Sequence, residues 1–268
     1  MRFSDCHVFV AHSYAQIKDG QAFQGARGTV QTFKVQPTFI EEPGSHKDFS
    51  MKIILTGATG TAGSEVLRRA LADPDVTDVL VLSRRPLDIT DPKLRVAVVK
   101  NFLDYSEVGP QFTGYGACLW CLGISQTEVS KEDYETITYG YALAAAQAMK
   151  DLGEGFRFCF LSGRGADSNE KSSILFARVK GKTENSLTGL GQPKAWHFRP
   201  GYIHPTTAPP RRRLERWLAP LTPLFYRFLP SHIISTVELA KAMLYVAKRG
   251  SSLRIIENDD IREISRRA

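Results

Sequence analysis

A chain of 268 residues, 43% of them hydrophobic, has enough apolar material for one large α/β domain or two small ones. No apolar run approaches the roughly 20 residues of a membrane-spanning helix, and His7-Val8-Phe9-Val10-Ala11 is too short for a signal-peptide core, so the expected compartment is the cytoplasm. The net charge of +7 is gathered late, with fourteen Lys/Arg against six Asp/Glu over 194–268, but no nucleic-acid motif accompanies it and nucleic acid is not an expected partner. A solvated face, attraction of a phosphate-rich cofactor, and a peripheral membrane or protein contact are the alternatives for that charge.

Residues 1–50 lack hydrophobic periodicity and end in Glu41-Glu42-Pro43-Gly44-Ser45. They are expected to form a disordered extension, or to be an artefact upstream of a true start at Met51. Asp5 and Asp19 interrupt the acid-free pattern of a targeting presequence. From Met51 to Ala268 the pattern predicts one domain, with 202–252 forming a C-terminal, mainly helical lobe.

The stretch Ile53-Ile54-Leu55-Thr56-Gly57-Ala58-Thr59-Gly60-Thr61-Ala62-Gly63 is an apolar run feeding a glycine turn. An amphipathic helix pattern follows it, with Val66, Leu67, Ala70 and Leu71 facing inward and Glu65, Arg68 and Arg69 facing water. Strand, glycine turn and helix together form a nucleotide-binding unit, in which bare backbone approaches a pyrophosphate and amides of Gly57, Thr59, Gly60, Thr61 and Ala62 face its charge.

Further buried strands are predicted at Val79–Leu82, Leu94–Val99, Ala117–Leu122, Phe156–Leu161, Trp196–Phe198 and Leu253–Ile256. Helices are predicted over 131–150, with an alanine side at Ala142, Ala144, Ala145, Ala146 and Ala148, over 173–187, and from the Ser235-x-x-Glu238 capping box to Gly250. Apolar strands alternating with helices imply a doubly wound, mostly parallel α/β Rossmann sheet with ligands at the carboxyl ends of its strands. Cys118 and Cys121 would point to opposite faces of one strand, so no metal site is expected there. Leu214, Trp217, Leu218, Leu221, Leu224, Phe225 and Phe228 form an apolar stripe beside arginines, a substrate lobe by one reading and a membrane-surface contact by the other.

The end of the second strand sets the expected cofactor. An acidic residue there would accept the ribose hydroxyls of NAD, whereas Ser83-Arg84-Arg85 offers guanidinium groups to a 2′-phosphate, which favours NADP(H) over NAD(H). Leu103 and Asp104 are candidate walls for the adenine. Leu122 and Gly123 would let the middle of the cofactor lie close to the backbone.

The glycine turn, Cys121-Leu122-Gly123, Phe160-Leu161-Ser162-Gly163, Val179-Lys180-Gly181-Lys182-Thr183-Glu184 and Phe198-Arg199-Pro200-Gly201 together resemble the atypical short-chain dehydrogenase/reductases. Within these they are most similar to bacterial and fungal relatives of the human Tat-interacting tumour-suppressor oxidoreductase, over about residues 51–260. The resemblance implies a nicotinamide cofactor, a small-molecule substrate, roles for Ser162 and Lys180, and cofactor contacts at Pro200 and Gly201. It also implies a tyrosine four residues before the lysine, where this chain has Phe176, which has no proton to give. Tyr202, and less directly Tyr139 or Tyr141, are the candidate replacements. The expected function is an NADP(H)-dependent oxidoreductase or sugar-epimerase-like enzyme; the alternative is a non-catalytic NADP(H)-binding protein that presents its basic lobe to a partner or membrane.

Overall fold

The computed structural model describes residues 50–206 and 230–268. The expectations for residues 1–49 and for the apolar stripe at 214–228 lie outside the described residues. Strand β1 (Met51–Thr56) leads through the glycine turn into α1 (Thr61–Ala72), then β2 (Val76–Ser83), β3 (Leu94–Val98) and β4 (Ala117–Trp120). Helix α2 (Lys131–Glu135) passes through a π-helical turn at Thr136–Gly140 into α3 (Tyr141–Ala148), followed by β5 (Arg157–Leu161), α4 (Leu175–Gly189) and β6 (Lys194–Arg199). The chain closes with β7 (Tyr202–His204), β8 (Ile233–Ser235), α5 (Thr236–Arg249), β9 (Ile255–Glu257) and α6 (Asn258–Arg267).

Seven strands pair in parallel in the order β3-β2-β1-β4-β5-β6-β9. This is the expected α/β Rossmann architecture. The order reverses between β1 and β4, and the crevice at their carboxyl ends is where such sheets take ligands. Alternation along each strand divides the core in two. Ile53, Leu55, Val79, Val81, Leu119 and Cys159 pack with α1, α5 and α6, while Ile54, Leu80, Leu82, Cys118, Trp120, Phe158 and Phe160 pack with α3 and the aromatic loop Phe102–Tyr115. Cys118 and Cys121 fall on opposite faces, as the strand period requires.

Several local readings change. Glu65 does not face water: its side chain is 1% exposed and takes both Arg68 and Arg69. Helix α1 packs against the sheet and against α5, so it has no broad solvent face for position 65. The 131–150 helix is interrupted by the π turn; Ala142, Ala145 and Ala146 are buried but Ala148 is exposed. The capping box at Ser235 and Glu238 forms as read, yet α5 is part of the main core and not of a separate surface. The two-stranded parallel sheet of β7 and β8, and α6, went unread because each strand is three residues long and α6 has few apolar positions.

Candidate functional site

The glycine turn lies at the switch point, and its glycines serve different ends. Gly57 has φ +68°, and a Cβ there would stand 2.5 Å from the Cys121 carbonyl oxygen. At Gly63 a Cβ would collide with the Gly57 carbonyl. Both are therefore demanded by close packing inside the protein: of β1 against the end of β4, and of α1 against the turn. Gly60 is the N-cap of α1, has no side-chain cap, and would bring a Cβ no nearer than 3.2 Å to the Gly57 oxygen. The first-turn amides behind it have no intrahelical acceptor, which makes the turn an anion cradle. Thr56 Oγ1 accepts the Leu122 amide at 3.1 Å and fixes the gap between the ends of β1 and β4.

A cavity of about 360 Å³ opens from this turn. Gly57, Ala58 and Thr59 line it on one side, Ser83, Arg84 and Arg85 on another, with Phe102 and Leu122 closing it. Arg84 and Arg85 are exposed, and Ser83 Oγ accepts the Arg85 amide at 3.4 Å, which shapes the turn carrying them. The cavity thus brings two arginines and an aromatic ring beside the start of the glycine turn.

Leu103 and Asp104 are not among its lining residues. They line a separate, open cavity with Tyr105, Ala144 and Gln147, and Leu103 is 51% exposed. Phe102, one residue earlier, lines the first cavity; its ring lies tilted against Tyr141, with centroids 5.6 Å apart, and meets Trp120 edge-on.

At the carboxyl end of β5 two successive residues dock onto α4. The Leu161 carbonyl accepts Lys180 Nζ at 2.9 Å, and the Ser162 hydroxyl donates to the Glu184 carboxylate. Lys180 is 7% exposed, with Nζ 4.6 Å from the centre of the Phe160 ring. Burial pulls its ammonium down to about 8, and the nearby Glu184 carboxylate opposes that fall. Glu184 also takes the Arg199 guanidinium, whose other donors reach Ser168 and Glu257. Sequence reasoning missed Glu184, although its place four residues after Lys180 puts both on one helix face.

Phe176 lies where the resemblance implies a tyrosine, and its ring rests on Gly163. Gly163, not Ser162, is therefore the β5-end residue that faces position 176. Of the candidate replacements, Tyr139 lies under Lys182 at 4.3 Å, Tyr141 packs on Phe102, and Tyr202 is 45% exposed on β7. Pro200 accepts the Arg164 amide and Gly201 donates to Asn258. A Cβ at Gly201 would collide with the His232 carbonyl, so this pair fastens β7 and β8 to the sheet.

No protein-family profile matches the chain. It is 29% identical over 158 residues to the mitochondrial protein FMP52 of Candida albicans, covering 57% of this chain and 67% of that one. It is 27% identical over 143 residues to the leucinostatins biosynthesis cluster protein T of Purpureocillium lilacinum, covering 52% of each. These matches span between half and about two thirds of the relatives' length. Among solved structures, WbmF of Bordetella bronchiseptica in complex with NAD+ superposes with a TM-score of 0.59 at 12% identity, covering 81% of this chain and 78% of that one. A glucuronic acid dehydrogenase of Chromohalobacter salexigens gives 0.55 at 15% identity, covering 77% and 75%.

The chain has the Rossmann fold of these proteins. The cytoplasmic expectation is corrected: the FMP52 relatives are named mitochondrial and point to that compartment instead. It had rested on the lack of an apolar leader, and mitochondrial presequences are amphipathic, not apolar. No helix among the described residues is long and apolar enough to cross a membrane.

Proposed function

We propose that this chain is an NADP(H)-dependent oxidoreductase of the atypical short-chain dehydrogenase/reductase kind, similar to the relatives of the Tat-interacting oxidoreductase, working in mitochondria on a small hydroxyl or carbonyl substrate. The carrying observation is the cavity that Gly57, Ala58 and Thr59 of the glycine turn line together with Arg84 and Arg85. The turn amides would hold the diphosphate, Arg84 and Arg85 the 2′-phosphate, Phe102 the adenine side, and Lys180 the nicotinamide ribose. When bound, the cofactor supplies or accepts hydride.

Calorimetric titration tests this reading. NADPH is expected to bind tighter than NADH, and Arg84→Asp with Arg85→Ala to reverse the order. Equal affinities in the parent protein would overturn the NADP preference.

A second reading, binding without turnover, is favoured by Phe176 lying on Gly163 and by Ser162 donating its proton inward to Glu184. On this reading the dinucleotide is a structural or sensed ligand. Phe176→Tyr separates the two. A gain of roughly a hundredfold in NADPH consumption over a panel of carbonyl compounds supports the oxidoreductase, and an unchanged rate supports the binding protein.

A further inference from the structure

Beneath the candidate site lies a buried group of charges that the proposed function does not use. Lys180 and Glu184 are one turn apart on α4, and each is tied to one of two adjacent residues, Leu161 at the end of β5 and Ser162 just after it. Glu184 is 2% exposed, and its carboxylate receives the Ser162 hydroxyl and the Arg199 Nε and Nη2 groups. Among the described residues the titratable or charged groups around Lys180 are Glu184 on its own helix, Cys121 beyond β4, and Arg199 and His197 on β6. The Cys121 thiol is pushed up to about 12 by burial and His197 down to about 4, so at neutral pH both are uncharged. The only anion in the group is the Glu184 carboxylate.

From this arrangement we propose that Glu184 is a positioning residue for Lys180. Braced by Arg199, it is the counter-charge that keeps the Lys180 ammonium protonated while the Leu161 carbonyl aims it, and it turns the Ser162 hydroxyl away from the cleft. This rests on the dinucleotide reading above for its ligand, the ribose hydroxyls of a nicotinamide nucleotide, but not for its geometry. An ammonium has three N–H donors; Lys180 Nζ gives one to the Leu161 carbonyl and lies 4.6 Å from the centre of the Phe160 ring. A ligand hydroxyl would take a further N–H, and deprotonation removes one donor together with the positive charge. Burial brings Lys180 down to about 8, and the Glu184 carboxylate opposes that fall and so favours the charged form.

The experiment follows the lysine ε-carbons by NMR in protein carrying 13C-lysine, with the Lys180 signal assigned by Lys180→Arg, from pH 6.5 to 10.5. The parent is expected to titrate near the depressed value, and Glu184→Gln to titrate about one pH unit lower. Because Glu184→Gln leaves Arg199 without its partner in the interior, Glu184→Gln/Arg199→Met is measured beside it. That pair removes both charges at similar volume and is expected to lower the midpoint as well. An unchanged midpoint in the folded variants, or a parent Lys180 that titrates in the ordinary lysine range, would overturn the proposal.

Calorimetry with NADPH over pH 7–9.5 gives the second readout. Parent affinity is expected to fall roughly tenfold across the Lys180 midpoint, the fall to move to lower pH in Glu184→Gln, and Lys180→Met to show no step. If NADPH binds none of these proteins while the NMR midpoints move as expected, the dinucleotide reading fails and the role of Glu184 stands.

Discussion

The Phe176 ring lies against the bare Cα of Gly163 so closely that a methyl group at 163 would stand 2.6 Å from the ring's Cζ. This contact joins the end of β5 to the first turn of α4, and it leaves two apolar surfaces face to face where a reducing site needs a proton donor. Gly163→Ala is expected to push the ring aside and destabilise the fold by about 1–3 kcal/mol. Adding Phe176→Ala should recover part of that loss, and urea unfolding of the two single variants and the double gives the coupling. Additive effects would show that the two residues do not press on one another.

The glycine turn makes a finer distinction. Gly63→Ala forces a methyl into the Gly57 carbonyl, and a loss of about 3 kcal/mol is expected, together with NADPH binding. Gly60→Ala meets only that oxygen, at 3.2 Å, and is expected to change stability by less than about 1 kcal/mol. Its methyl would nevertheless stand beside the amide cradle, so the NADPH affinity should drop by about tenfold or more in a protein that melts almost as the parent does. Parallel losses of binding and stability in Gly60→Ala would mean that position 60 does not face the ligand.

Some residues act through periodicity and others through contact, and only the first kind is legible in the sequence. The strands were legible because a parallel sheet covered on both faces reads as unbroken apolar runs, such as Val79-Leu80-Val81-Leu82, and the turn was legible because glycine marks it twice over. Phe102 and the pairing of Gly163 with position 176 were not legible. Each depends on where two segments far apart in sequence meet, and a one-residue slip at a strand end exchanges Phe102 for Leu103 or Gly163 for Ser162. Glu65 was misread for the same reason: nothing local announces that α5, some 170 residues later, will cover the outer side of α1.

His197 is one source of acid sensitivity. His197 is 2% exposed on β6, with Nε2 2.8 Å from Thr188 Oγ1, and burial drives its pKa from 6.5 to about 4. Above 6.5 the ring is neutral in both folded and unfolded chains and this burial has no pH dependence. As pH falls from 6.5 towards 4 the unfolded chain takes up a proton that the folded one refuses, so stability falls with pH across that window. Between pH 7 and pH 5 the loss from this residue is about 2 kcal/mol. His197→Gln keeps a polar group beside Thr188 and is expected to flatten the decline in urea-unfolding experiments at the two pH values. An equal decline in parent and variant would place the acid sensitivity in another group.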